Sequence, residues 1–300
     1  MIALGCCFGF YVQNWHILKE INYKGEYGFF LFSLGTATLG MYLLPSSIWI
    51  LYKGLNPGNT SSEWMAIFKV FRVYQIANIY KYIPGKIPTL MVFIHESSNQ
   101  KLNLPSIFQA WVAANGLFLL NGVILGLLTF PTYLDNSVGK LFIITLILLL
   151  LIFTIHPKTN FLIIGFLFTM LKREFRSVPF QYYNLILSFI VQFLGWIFLG
   201  ISFAAVSFIF NPFGFDFAKT ISSVLIYPAA HSAGFLAFFA PAGVGVREGI
   251  LLFFLAEVVF SESPNGVSIA MVVVTMHRAL MTFIDIGLYF FARKLRGIGN

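Results

Sequence analysis

Residues 181–210 read QYYNLILSFIVQFLGWIFLGISFAAVSFIF and contain no charged side chain. A helix needs about 20 residues to cross the hydrocarbon core of a bilayer, so this run is long enough to span a membrane. Runs of similar length and polarity lie at 28–53, 106–130 and 266–292. The sequence therefore predicts four membrane-spanning helices at these positions.

The composition of the whole 300-residue chain agrees with this prediction. Hydrophobic residues make up 58% of the sequence and charged residues only 10%, whereas a soluble domain carries roughly 25% charged residues. So few charges cannot cover a surface that faces water, which excludes soluble enzymes, nucleic-acid-binding proteins and disordered chains. We predict an all-α polytopic membrane protein in which residues 1–300 form a single integral membrane domain.

Several apolar runs are shorter or are interrupted by proline, glycine or charge. In lipid every backbone polar group needs a partner, so short helices occur only where protein or a water-filled cavity surrounds them. Such segments often build the binding sites of transporters. We predict the first run to be a retained helix, because no basic segment precedes it as in a signal peptide. The shorter runs are 1–17, 64–82, 86–103, 139–155, 159–172, 219–240 and 247–260.

Two of the interruptions resemble each other. Tyr82-Ile83-Pro84-Gly85-Lys86 separates one pair of short runs, and the segment from Pro241 to Glu248 separates another. Each reads as a helix, a Pro/Gly break and a second helix. We predict a helix bundle with two Pro/Gly-broken helix hairpins, which either span the membrane or re-enter it. The pattern also suggests an internal repeat, although the two halves show no clear match residue by residue.

Basic residues near the helix ends predict the orientation of the protein in the membrane. Cytoplasmic loops are enriched in Lys and Arg, and two clusters lie after the runs that end near 172 and 292. We therefore predict a multi-pass protein of the cell membrane with a cytoplasmic C-terminus, and attribute the net charge of +8 to topology and not to nucleic-acid binding. The clusters are Lys172, Arg173 and Arg176, and Arg293, Lys294 and Arg296.

The first break combines basic residues with a helix start. A helix that begins after Pro84-Gly85 would present free N–H groups and its positive dipole end beside Lys86, a combination that favours phosphate or another anion. We predict substrate contacts from Lys81, Tyr82, Pro84, Gly85 and Lys86. The alternative is that this helix has a polar flank at the membrane interface, where its tyrosines lie at headgroup level and its lysines extend toward water. Arg72, earlier in the same segment, is predicted to join an interior ion network.

The second break is followed at once by two charged residues. Pro241, Gly243 and Gly245 allow an irregular backbone, and Arg247 could bind a phosphate beside a helix N-terminus. We therefore predict substrate contacts from Pro241, Gly243, Gly245 and Arg247. The alternative is that Arg247 and Glu248 pair with neighbours and lock the bundle.

The last apolar run contains Arg278 and Asp285, which lie on one helix face two turns apart. We expect each to meet a partner on another helix, with Glu248 as the candidate for Arg278. Such a network could only stabilise the fold. Alternatively, it could hold or switch a substrate-binding groove, or couple movement to protons.

Motifs of enzymes and cofactors are incomplete. The third glycine of a dinucleotide fingerprint would fall at Glu248, and His95-Glu96 is followed by Asn99 where a zinc protease needs histidine. We expect Gly200-Ile201-Ser202 to be packing residues. The sequence predicts no catalytic residue, no metal and no cofactor, and hence a protein that is not an enzyme.

The order of these segments resembles the lysylphosphatidylglycerol synthase transmembrane-region family, the flippase-like integral membrane proteins. The resemblance covers about residues 31–295 and is most specific at residues 240–248, where the family usually has glycine in place of Ala242. It is carried by Tyr82-Ile83-Pro84-Gly85-Lys86, by Ala240-Pro241-Ala242-Gly243-Val244-Gly245-Val246-Arg247-Glu248, and by Arg278 and Asp285. The resemblance implies a stand-alone member that handles lipid without the soluble aminoacyl-transferase domain.

We therefore predict a transporter-like protein that binds or moves an anionic lipid or lipid-linked intermediate, either a phospholipid or a polyprenyl-phosphate-linked molecule. Its partners would be membrane lipids with anionic headgroups. One alternative is a membrane partner of a separate lipid synthase or glycosyltransferase that transports nothing itself. Another is a lipid-modifying membrane enzyme with Glu96 or Glu248 as the base.

Overall fold

The computed structural model describes residues 27–56, 63–84, 87–129, 137–156, 179–210, 216–237 and 240–295. All regular structure within these ranges is helical, as predicted. The α-helices are α1 (Tyr27–Leu55), α2 (Glu63–Asn78), α3 (Ile87–Asn99), α4 (Leu104–Leu127), α5 (Ser137–Ile155), α6 (Tyr182–Ile209), α7 (Phe217–Leu236), α8 (Val246–Phe254) and α9 (Gly266–Lys294).

Four of these helices, α1, α4, α6 and α9, are long and apolar enough to cross a membrane. They coincide with the four predicted spans, which is the outcome expected of an all-α membrane protein. Most of the exposed side chains of α5 are also apolar: Val138, Leu141 and Phe142 are each at least 65% exposed. An outward apolar surface of this kind suits a lipid environment. The predicted runs at 1–17 and 159–172 lie outside the described residues.

The central contact of the fold is an antiparallel pair formed by α1 and α6. The Phe29 ring stacks on Phe208 near the start of α1, and Ser188 Oγ donates to Ser47 O nearer its end. Between these contacts the backbones approach closely: a Cβ added to Gly40 would lie 2.9 Å from Gly195 O. Small residues at the crossing allow this approach, as is common between membrane helices.

The contacts of this helix pair are reciprocal. The sequence Ser33, Gly40, Leu44, Ser47 in α1 recurs with the same spacing as Ser188, Gly195, Leu199, Ser202 in α6. Each glycine packs on the other helix's leucine. Likewise, the first serine of each helix donates to the backbone oxygen of the other's second serine, from Ser33 to Ser202 O and from Ser188 to Ser47 O. The two helices are thus related by an approximate two-fold axis between Gly40 and Gly195.

The same relationship extends to the helices that follow. Both halves have the same order of elements: a long helix, a shorter helix, a break, a second shorter helix and a second long helix. The first half runs from α1 to α4 and the second from α6 to α9. The last helix of each half packs antiparallel on the pre-break helix of the other. A ring contact and a hydrogen bond show this for α2 and α9, and a ring contact and the close approach of two glycines show it for α4 and α7. The chain therefore contains two inverted halves, and the repeat suggested by the breaks is present.

Candidate functional site

A cavity of about 160 Å³ lies where the two breaks meet between the halves. Its polar wall comes from residues beside both breaks and from α9. Its apolar wall comes from α1, α4 and α6 together with the end of α7. The predicted site residues that line it are Lys81, Tyr82, Gly243, Arg247, Arg278 and Asp285, and its apolar lining includes Met41, Leu44, Ile48, Phe118, Leu199 and Phe235.

The second break is built on residues with positive φ angles. Ala242, Gly243 and Gly245 have φ of 50°, 69° and 91°, in the region that favours glycine. Gly243 also packs tightly, because an added Cβ would lie 2.8 Å from the Cα and O of Gly234 in α7. Only a residue without a side chain fits there, so the break is fixed against α7 and α8 starts directly after it.

Glu248 organises the start of α8. Its Oε2 accepts the backbone N–H of Gly245 at 2.8 Å, the reciprocal half of a helix capping box. Its Oε1 accepts from Arg247 Nη2 at 2.9 Å and lies 3.4 Å from Arg278 Nη1. The expected pairing of Arg278 with Glu248 is therefore present, and one carboxylate orients two guanidinium groups.

The two guanidinium groups are also held by the surrounding protein. Arg247 is buried, with 5% of its surface exposed, and its Nη1 lies 3.3 Å from His231 Nδ1. Arg278 donates through Nη1 to Ala242 O at 3.4 Å and stacks over the ring of Tyr82. These contacts leave N–H groups of both side chains for a further acceptor, since each guanidinium has five.

Asp285 joins the first break to α9. Its Oδ2 lies 2.7 Å from Lys81 Nζ and accepts the Tyr82 hydroxyl at 2.7 Å, while its Oδ1 accepts Asn78 Nδ2 at 2.9 Å. Asp285 is almost fully buried, so its charge depends on these partners. The expectation of a partner on another helix holds for Asp285, and that partner is Lys81.

The charges at the cavity do not cancel. Lys81, Arg247 and Arg278 supply three positive charges, and Asp285 and Glu248 supply two negative ones. The excess of one positive charge lies in a wall that is otherwise largely apolar. Such a site attracts an anion, because few other groups are available to neutralise the charge.

Some predicted residues lie elsewhere. Arg72 does not join the network at the cavity: it is buried against Glu96, with Nη1 3.2 Å from Oε2. Pro84 and Gly245 are exposed and are not part of the lining, although the Gly245 N–H caps α8 through Glu248. Pro241 opens a single 3-10 turn, Pro241–Gly243, at the break. Gly85 and Lys86 lie outside the described residues.

Sequence reasoning did not find every residue of the site. His231 lines the cavity beside Arg247. Asn115 and Gln192 also line it, and Asn78 binds Asp285. A polar residue inside an apolar run, such as Gln192, was the available signal, because buried polar groups in membrane helices often mark a pathway or site.

A buried serine–histidine contact lies outside the cavity. Ser202 Oγ is 3.1 Å from His277 Nε2 and 2.8 Å from Ser33 Oγ, which links α1, α6 and α9. All three residues are buried and none lines the cavity, so the contact stabilises helix packing as expected for the Gly200-Ile201-Ser202 segment. Within the described ranges no group of three His, Cys, Asp or Glu side chains could hold a metal ion.

Comparisons of the chain with protein families, with curated proteins and with solved structures found no match. The resemblance to the flippase-like family stays a prediction from the sequence motifs.

Proposed function

We propose that this chain is a transporter-like membrane protein that binds the phosphate of an anionic lipid or lipid-linked intermediate in the cavity and moves that molecule across the bilayer. The single observation that carries the proposal is the convergence of Lys81, Arg247 and Arg278, from three separate segments, on one largely apolar cavity. A member of the flippase-like family would act in this way without catalysing a reaction.

The phosphate would lie between Arg247 and Arg278. Guanidinium groups bind phosphate oxygens through paired hydrogen bonds, and both groups are already oriented by Glu248. Phosphate binding to a buried, partly neutralised arginine pair costs little side-chain entropy, because the rotamers are already fixed. One phosphodiester charge would neutralise the excess positive charge of the wall.

The apolar part of the wall suits the rest of an amphiphile. Lining residues such as Leu44, Phe118 and Phe235 offer no hydrogen bonds, so they would contact alkyl or prenyl groups next to the phosphate. A soluble anion would gain nothing from these contacts. The pairing of cations with apolar side chains therefore favours a lipid over a free phosphate.

The two inverted halves supply a route for movement. Transporters built from inverted repeats hold their substrate where the halves meet, near broken helices, and expose it to either side by shifting one half against the other. We propose that both breaks are re-entrant hairpins. The Lys81–Asp285 pair would close the cavity, and an incoming phosphate would replace the Asp285 carboxylate at Lys81. The cell membrane, with a cytoplasmic C-terminus, is the proposed location.

Transbilayer movement in proteoliposomes tests the proposal. Tail-labelled phosphatidylglycerol and a labelled polyprenyl phosphate would be followed by quenching from outside, with wild-type protein, with Arg247→Gln/Arg278→Gln and with Lys219→Gln. Lys219 is a matched control because it pairs with Glu262 away from the cavity. We expect movement of one lipid by wild type and the control and its loss in the double variant.

Equal movement by the double variant, with normal folding, would contradict the phosphate site. Binding of lipid without any movement would instead support the alternative of a partner for a separate lipid synthase or glycosyltransferase. Conversion of the lipid into a new product would support the enzyme alternative.

A further inference from the structure

Two side-chain amides, on α4 and α6, line the same cavity as the three cations. We propose that Asn115 and Gln192 form a second subsite that accepts hydrogen bonds from hydroxyl groups, so that the ligand is a phosphate ester with a hydroxylated headgroup such as glycerol or a sugar. This inference rests on the proposed function, because it assumes that the phosphate lies at Arg247 and Arg278.

The orientation of the Gln192 amide is fixed by its neighbours. Nε2 donates to Ala114 O at 2.9 Å and to Ser47 Oγ at 2.7 Å. A backbone carbonyl only accepts, so the atom facing it must be the nitrogen. Oε1 then has no hydrogen-bond partner among the described residues, although Gln192 is only 2% exposed and lines the cavity.

Asn115, on α4, is half-buried and lines the same cavity. Its Nδ2 donates to Trp111 O at 2.7 Å, one turn earlier in the same helix, which again fixes the nitrogen and leaves Oδ1 as an acceptor. Asn115 lines the cavity together with Gln192, and the hydrogen bond from Gln192 to Ala114 O places the two residues side by side. Of these two oxygens, Gln192 Oε1 is buried and has no donor among the described residues, which is costly, so this part of the wall is incomplete without a donor from a ligand or water.

The donor that fits is neutral. An ammonium group would also donate to these oxygens, but both carboxylates near the cavity are already in ion pairs with its cations. The excess positive charge of the wall would repel a further cation. The Trp111 ring, which also lines the cavity, suits the apolar face of a polyol or sugar ring. Hydroxyl groups meet all of these conditions.

Contacts between neighbouring side chains connect the amides to the proposed phosphate position. Phe118, one turn after Asn115, packs edge-on against the His231 ring at 5.9 Å between centroids, and His231 Nδ1 lies 3.3 Å from Arg247. Two side chains, Phe118 and His231, therefore connect the Asn115 position to the Arg247 guanidinium. A hydroxyl on the group esterified to the phosphate could reach the amides while the phosphate stays at Arg247.

Matched short-chain lipids test the inference on the full-length purified protein. Dihexanoyl phosphatidylglycerol and dihexanoyl phosphatidylethanol carry the same phosphodiester charge, but only the first has free hydroxyls. Glucosyl phosphofarnesol and ethyl phosphofarnesol form the equivalent polyprenyl pair, and dihexanoyl phosphatidylethanolamine tests an ammonium. Affinities would be measured for wild type, Asn115→Leu and Arg247→Gln/Arg278→Gln. Gln192 stays unchanged because it also joins α1 to α4.

We expect wild type to prefer the hydroxylated member of at least one pair by about 3- to 10-fold, the range for one neutral hydrogen bond, and Asn115→Leu to remove that preference. The pair that shows it distinguishes a diacyl from a polyprenyl lipid. Equal affinity within both pairs in wild type would overturn the subsite, and so would tighter binding of the ammonium lipid. If no lipid bound, or if the double arginine variant bound all of them normally, the proposed function would fail as well.

Discussion

Lys81 Nζ lies 2.7 Å from Asp285 Oδ2, which joins the first break to the last long helix across the two halves of the chain. Lys81 keeps about a third of its side chain exposed, whereas that of Asp285 is 2% exposed. The lysine can therefore leave the pair more easily than the aspartate. This relationship makes Asp285 an internal competitor for the anion that Lys81 would otherwise bind.

Asp285→Asn should strengthen lipid binding. The single amide oxygen can still accept from one of the two neutral donors, Asn78 or Tyr82, but Lys81 loses its counter-charge and becomes available to the ligand phosphate. An ion pair with one partly exposed member is worth about 1 kcal/mol, so we expect affinity for the bound anionic lipid to rise about fivefold. Equilibrium binding to the purified protein measures this change.

A double-mutant cycle provides the control for that prediction. In a Lys81→Met background, Asp285→Asn should no longer change affinity, because the competing pair is already absent. An equal gain in both backgrounds would mean that Asp285 acts on the ligand by another route.

Two replacements of Glu248 should distinguish the contribution of its capping hydrogen bond to stability from that of its charge. Glu248→Ala removes both the acceptor for the Gly245 N–H and the partner of two arginines, one of them buried. Loss of the cap alone costs about 1 kcal/mol. Glu248→Gln keeps an oxygen for the cap, so thermal unfolding in detergent should rank wild type above Gln and Gln above Ala. Equal midpoints for all three would show that the carboxylate does not hold the break.

Substitutions at Ala242 and Gly243 should change the stability of the protein in opposite directions. Ala242 has φ 50°, so Ala242→Gly should stabilise the protein by about 0.5–1 kcal/mol. Gly243→Ala should destabilise it by more than that, because its φ is 69° and the new Cβ would meet the backbone of Gly234. Unfolding midpoints that move in the same direction would argue against this geometry of the break.

The crossing of α1 and α6 should tolerate no side chain at its centre. Gly40→Ala would place a Cβ 2.8 Å from Leu199 Cγ and 2.9 Å from Gly195 O, so we expect a loss of about 1–3 kcal/mol. Gly35→Ala, in the same helix, meets no atom within 4 Å and is the matched control. Similar stability of the two variants would contradict the close approach of these helices.

The helices and the composition of the site could be predicted in large part. Length and hydropathy alone define α1, α4, α6 and α9, and Pro/Gly content marks both breaks. The charged residues next to the breaks were expected to meet α9, and Arg278 does contact Glu248. These features are local in sequence or follow from the high cost of an unpaired charge in lipid.

The remaining features depend on contacts between distant residues. The repeat involves only a few small residues, such as Gly40 and Gly195, whose role is visible once α1 and α6 are seen to cross. Nothing in the sequence specifies that Lys81, and not Arg72, reaches Asp285, because helix rotation decides which basic residue faces the cavity. The free oxygens of Asn115 and Gln192 likewise follow from hydrogen bonds to neighbouring backbone.

Native mass spectrometry of gently purified protein tests the central claim most directly, by comparing the lipids retained by wild type, by Arg247→Gln/Arg278→Gln and by Lys219→Gln. We predict that wild type and Lys219→Gln retain the same anionic phosphate lipid selectively and that the double arginine variant loses it. Retention of that lipid by all three proteins, or retention without selectivity, would contradict a phosphate site at these arginines.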